Sequence, residues 1–187
     1  MLKLAFRDFI RAYFAPKALY SELAAGRRSD SWLCVLVYGL IYVAGSIWLF
    51  LNDYTPFVEP WIALPGEIYY LVQSFYIIPL IFLMWILGTG VLHILSWPFG
   101  GRGRFNVLLL MTGYSFWAPW YLLVIVDCIH ATPEWLYNTV LGTSIVLILL
   151  GTTLAVRTEE KTGIMSAILA SALALASIGA ILFTYIR

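Results

Sequence analysis

Five long apolar runs, separated by short polar gaps, organise this chain. The first, from about Trp32 to Leu51, carries no charged residue and reaches the roughly 20 residues that a helix needs to cross a bilayer. The second extends from about Glu67 to Trp97. It is longer than a straight crossing requires, so tilt or a kink is predicted, with Pro79 near its middle as the kink site. The third run, from about Asn106 to Val126, contains Pro119, which predicts a second kink. The fourth covers about Leu136 to Val156 and the fifth about Gly163 to Ile186. A six-span alternative would split the second run near Pro79.

The N-terminal stretch follows a different rule. In residues 2–14, LKLAFRDFIRAYF, Leu2, Phe6, Phe9, Ile10 and Tyr13 recur at helical spacing, while Lys3, Arg7, Asp8 and Arg11 take the other side. A basic amphipathic helix of this kind suits a membrane surface, and it equally suits packing on the protein's own inner face. Pro16 interrupts the pattern. Residues 17–25, KALYSELAA, predict a second short helix closed by Gly26. The expected organisation is an N-terminal amphipathic segment, 1–31, followed by a five-span membrane domain, 32–187.

Composition agrees with lipid as the solvent. The chain is 62% hydrophobic and 11% charged, with a mean hydropathy of +0.89; soluble domains hold roughly 45–50% apolar and about 25% charged residues. Its 187 residues suit one domain. The first 31 residues carry charges throughout and contain no apolar core of a signal peptide, so insertion is expected to depend on the spans. Cys34 and Cys128 are predicted at opposite ends of the bilayer, about 30 Å apart, which is beyond disulfide reach. No basic stripe or motif points to nucleic acid.

Charge gives the spans a direction. Lys3, Arg7, Arg11, Lys17, Arg27 and Arg28 precede the first run; Arg102 and Arg104 lie between the second and third; Arg157 and Lys161 lie between the fourth and fifth. The other gaps hold Asp53, Glu59, Glu67, Asp127 and Glu134 and no Lys or Arg. Cytoplasmic loops collect basic residues, so an inside N-terminus and an outside C-terminus follow. Only Arg187 falls outside this sorting. Six spans would put the 99–105 loop outside and break it. Trp61 is predicted as an outer interfacial anchor.

Candidate chemistry is sparse. Phe99 to Phe105, a glycine-rich basic loop, lacks the Lys-Ser/Thr of a P-loop. It reads as a tight inner turn, or as a site where backbone N–H groups with Arg102 and Arg104 hold a lipid phosphate. His93 lies one turn inside the second run, and an ionisable group there is a functional candidate or a bond across to another helix. Asp127, His130 and Glu134 cluster at an outer end, without the ligand pattern of a metal site. No nucleophile, base and orienter fall where they can meet. Gln73, Tyr114, Ser115 and Asn138 are expected to bridge helices. Small residues recur along the last run: Gly163, Ala167, Ser171; Ser166, Ala170, Ala174; Ala172, Ala176, Ala180. They predict close packing within the bundle or a dimer contact.

Gly100, Gly101, Arg102, Gly103, Arg104, Phe105 and Asn106, then Gly113, Tyr114, Ser115 and Pro119, resemble the Yip-domain family of five-span proteins, which are named for interacting with Ypt/Rab GTPases. Phe14, Ala15 and Pro16, the amphipathic stretch, the charged last inner gap and the small-residue final span are similar too. The resemblance covers nearly the whole chain and is closest to the compact prokaryotic form. It implies an all-α integral membrane protein of a prokaryotic plasma membrane, without catalytic residues or cofactor.

Together these readings predict a non-enzymatic protein that organises lipid or recruits partners at its inner face. Arg7, Arg11, Arg102 and Arg104 would form a docking surface for anionic headgroups or a protein partner, with a homo-oligomer as an open alternative. The rival expectation is a small-solute transporter or channel with His93 and Tyr114 along its path. A membrane-embedded enzyme is a third.

Overall fold

The computed structural model describes residues 2–54, 65–128 and 133–186. Glu59, Trp61 and His130 lie outside the described residues, as do the side chains of Asp127, Cys128 and Glu134. The elements are α1 (Leu2–Phe14), α2 (Pro16–Ala24), α3 (Ser31–Leu51), α4 (Gly66–Ser96), a short 3-10 turn (Trp97–Phe99), α5 (Phe105–Ser115), α6 (Trp117–Cys128), α7 (Glu134–Glu159) and α8 (Ile164–Ile186). No strand occurs among the described residues.

Among the described residues, three helical stretches are long and apolar enough to cross a membrane: Ser31–Leu51, Gly66–Phe99 and Trp135–Glu159. A shorter apolar stretch covers Ile164–Ser177. The third predicted run forms two helices that meet at Phe116, of 11 and 12 residues. The cause is local. Pro119 has no N–H to give the carbonyl four residues back, and its ring crowds that carbonyl. The residue four back is Ser115, where α5 ends. Pro79, by contrast, lies inside one continuous helix of 31 residues.

α7 runs three residues past the predicted Val156, so Arg157 and Glu159 lie in the helix rather than in a polar gap. The reversal after it is short: Lys161 takes φ of 56° before α8 starts at Ile164.

The N-terminal segment is not a detached appendage. Leu19, Tyr20 and Leu23 of α2 are buried in the same core as Val35 of α3, Leu108 of α5 and Val156 of α7. Burial of Leu and Tyr side chains contributes roughly 1.5–3 kcal/mol each, so α2 is an anchor between α5 and α7. The α8 stripe divides: Ala167, Ala170, Ser171 and Ala174 are buried and Ala172 and Ala176 face outward. α8 packs on α4 and α7, as the internal reading of its small residues expects.

Polar contacts tie the helices together at named points. The Ser46 hydroxyl donates to Gln73 Oε1 at 3.0 Å, tying α3 to α4. The Thr89 and Thr112 hydroxyls lie 2.6 Å apart, and Trp85 Nε1 donates to the Leu109 carbonyl at 3.0 Å, tying α4 to α5. Gln73 thus bridges helices as expected. Ser115 bridges as well: its side chain hydrogen-bonds Tyr20 of α2, besides donating to the Met111 carbonyl of its own helix at 3.3 Å, whereas Asn138 faces outward.

Candidate functional site

The glycine-rich loop folds onto the end of α7. The Gly103 N–H donates to Glu160 Oε2 at 2.6 Å, and the Arg104 N–H donates to Glu159 Oε1 at 2.8 Å. Arg104 adds Nε to the same oxygen at 3.1 Å and donates from its guanidinium to the Ala24 carbonyl at 2.6 Å. The loop is therefore an anion cradle of backbone N–H groups, and the anions it holds are the chain's own carboxylates. Glycine is required by the closeness of approach. A Cβ at Gly103 would stand 2.8 Å from the Glu159 carbonyl oxygen, and one at Gly101 would stand 2.5 Å from Ser96 Oγ.

His93 completes this clasp. Its Nδ1 lies 2.5 Å from Glu160 Oε1, and the rings of Trp97 and Phe105 stand 5.5 Å and 5.9 Å from its centroid. The Glu160 side chain has no exposure at all. A buried carboxylate is tolerated only when its oxygens are bonded, and here each oxygen has a partner. His93 is thus a bond across to another helix, from α4 to the end of α7.

A second ionic cluster joins α1, α2 and the entry to α3. Asp8 is fully buried, with Arg27 Nη2 at 2.7 Å from both of its oxygens. Arg27 also donates to Glu22 at 2.8 Å, and Arg11 donates to Glu22 at 2.9 and 2.5 Å. The hydrogen bond from Arg11, assisted by Arg27, holds the Glu22 carboxyl down at about 2. Glu22 and Asp8 raise the guanidiniums of Arg11 and Arg27 respectively. Tyr114 reaches the same region: its hydroxyl lies 2.7 Å from Ser29 Oγ, linking α5 to the segment that leads into α3.

This cluster changes the reading of α1. Ala5 and Asp8 are buried, and Phe9 packs against the core. The outward face carries Lys3, Phe6, Arg7, Ile10 and Phe14, with Phe6 67% and Phe14 86% exposed. The expected split, apolar on one side and charged on the other, is not the one that forms. Asp8 turns inward because Arg27 waits there, and three large apolar side chains remain outside beside two cations.

The four arginines of the expected docking surface therefore separate. Arg11 and Arg104 are engaged in internal bonds. Arg7 is 61% exposed and only 3.8 Å from Asp8 at its nearest nitrogen. Arg102 is exposed and its side chain makes no hydrogen bond or ion pair among the described residues.

A half-open cavity of about 380 Å³ lies where the α1–α2 joint, the α5–α6 break, α7 and the start of α8 meet. Tyr13, Pro119, Leu150, Leu154, Arg157 and Ile164 are among its lining residues. The Tyr13 hydroxyl, which burial pushes up to about 12, donates to the Ala118 carbonyl across the break. Among the described residues, no group of three or more His, Cys, Asp or Glu could hold a metal ion.

No family model, curated protein or solved structure matches the chain. Functional assignment rests on these sites alone.

The sequence singled out His93 and Tyr114 but not their partners. In the sequence Asp8 falls on the charged side of the first helix, Arg27 among the basic residues before the first run, and Glu159 and Glu160 in the charged gap after the fourth. The one signal available was the pair of consecutive carboxylates at the end of an apolar run, opposite a glycine-rich loop.

Proposed function

We propose that the chain is a non-enzymatic, five-span membrane protein of the Yip-domain type whose inner face docks on anionic lipid through α1. The outward face of α1 carries this reading. Lys3 and Arg7 alternate with Phe6, Ile10 and Phe14, which is the chemistry of a helix lying in a headgroup layer: rings and aliphatic chains at the acyl boundary, cations at the phosphates. Arg102 and the exposed Arg104, which also bonds Glu159, add cations to this face, while Arg11 is held by Glu22.

The five-span count draws support from the clasp. Five spans put residues 100–104 and 157–162 on the same side of the membrane, and hydrogen bonds join these two gaps directly. The Arg104 bond to Ala24 brings the N-terminal segment to the same place. In this count α5 and α6 make one broken span and α8 the last one. Transport draws no such support: His93 and Tyr114 each hold a fixed protein partner, and the cavity beside Tyr114 is lined mostly by apolar side chains.

The test is depth. A fluorophore on Phe6→Cys, in a Cys34→Ala, Cys128→Ala background, is expected to be quenched by lipid-borne quenchers in nanodiscs containing phosphatidylglycerol. Each basic residue near an anionic surface contributes about 1 kcal/mol, so Lys3→Gln with Arg7→Gln should weaken the docking of α1 by about 30-fold. Equal absence of quenching with and without anionic lipid would refute the docking reading.

A further inference from the structure

We propose that the groove between the α5–α6 break and α7 is a binding site for one anionic phospholipid, taking an acyl chain among its apolar walls and the phosphate at Arg157. This rests on the membrane reading, since the mouth of the groove must face lipid. It is separate from the docking of α1, which concerns the opposite, outward face of that helix.

The walls come from the break itself. Pro119 ends the regular backbone bonding at Ser115, and α7 approaches this point so closely that a Cβ at Gly151 would stand 2.8 Å from Ser115 Cβ. Beside that contact, Leu147, Leu150 and Leu154 of α7 line one side of the opening. The volume of about 380 Å³ lies within the roughly 300–1,000 Å³ of ligand sites. Leu150 and Ile164, 61% and 54% exposed, flank the mouth.

Two polar groups on α7 give the groove a direction. Arg157 lines it and is exposed, with no ion pair among the described residues. Thr153 lines it one turn earlier, on the same face of the helix. Its hydroxyl is buried and has no hydrogen-bond partner among the described residues. Neighbouring threonines show the usual alternative: Thr152 and Thr158 each donate to the carbonyl four residues back, at 2.7 Å. Thr153 is left as a donor to an occupant. A donor one turn deeper than a free guanidinium, at the end of an apolar groove, matches the order of a phospholipid: phosphate, ester oxygen, acyl chain.

The occupant is a lipid rather than a free phosphate because the apolar walls far exceed what a small anion can contact.

Native mass spectrometry of the full chain, released from nanodiscs holding equal phosphatidylglycerol and phosphatidylcholine of the same acyl length, tests this. The wild type is expected to retain one lipid, with phosphatidylglycerol favoured at least tenfold. Leu150→Trp fills the mouth from an exposed position and should abolish retention, and Leu147→Trp supplies a second block if the first fails to fold. Arg157→Gln should keep retention and lose the preference for phosphatidylglycerol. No retained lipid in the wild type, equal retention in both blocked variants, or an unchanged preference in Arg157→Gln would overturn the proposal. Quenching of the α1 probe that persists in Leu150→Trp separates failure here from failure of the docking reading.

Discussion

Replacing Glu160 with alanine is expected to lower stability by about 1–3 kcal/mol for each of the two hydrogen-bond partners it leaves unbonded. Glu160 serves two partners, His93 at 2.5 Å and the Gly103 N–H at 2.6 Å. Alanine removes both acceptors and leaves that N–H without a bond in a buried site. Glu160→Gln is the informative companion. Its amide oxygen can still accept from Gly103, while its NH₂ meets His93 Nδ1, which must then be the unprotonated nitrogen. The glutamine variant should therefore lose less, about 1–2 kcal/mol. Reversible unfolding in mixed micelles reads both. Equal, small losses in the two variants would mean that the clasp contributes little.

Arg27→Ala is expected to cost about 3 kcal/mol or more, because Asp8 stays buried and keeps only the distant Arg7 and Arg11, at 3.8 and 4.0 Å. Adding Asp8→Asn to Arg27→Ala should restore part of the loss, since the stranded charge is then gone. Additive losses would contradict this account of the cluster. Acid should loosen the same region. The Glu22 carboxyl sits lower in the fold, at about 2, than its ordinary value of 4.5. A carboxyl depressed on folding stabilises fully above its unfolded value, and the contribution fades as pH falls toward the folded value. The contacts between α1 and α2 should therefore weaken between about pH 4.5 and pH 2, followed by hydrogen exchange of the α1 amides.

The helices were legible because their cause is local. A long apolar run reports its own solvent, so α3, expected at 32–51, forms at Ser31–Leu51. Pro119 announced a kink, and the structure makes it a full break at the residue whose carbonyl the proline displaces. The clasp was not legible, because its bonds join residues 57 and 67 positions apart. Composition could say that the 99–105 loop is suited to an anion. It could not say that Glu159 and Glu160, rather than a lipid, supply it. Asp8 failed for a related reason: helical spacing grouped it with Lys3 and Arg7, and only the position of Arg27 turns it inward. Of the four arginines, Arg11 is drawn into internal bonds, while Arg7, Arg102 and Arg104 stay exposed, as does Lys3.

Everything proposed for the inner face depends on which polar gaps share a side of the membrane. Side-specific thiol labelling in sealed vesicles measures this directly, using single cysteines at Asn52, Arg102, Pro133 and Lys161 in a Cys34→Ala, Cys128→Ala background. Five spans predict that Arg102→Cys and Lys161→Cys react from the cytoplasmic side and that Asn52→Cys and Pro133→Cys react from the other. Labelling of Lys161→Cys on the side opposite to Arg102→Cys would contradict the account, because only α3, α4 and α7 would then cross.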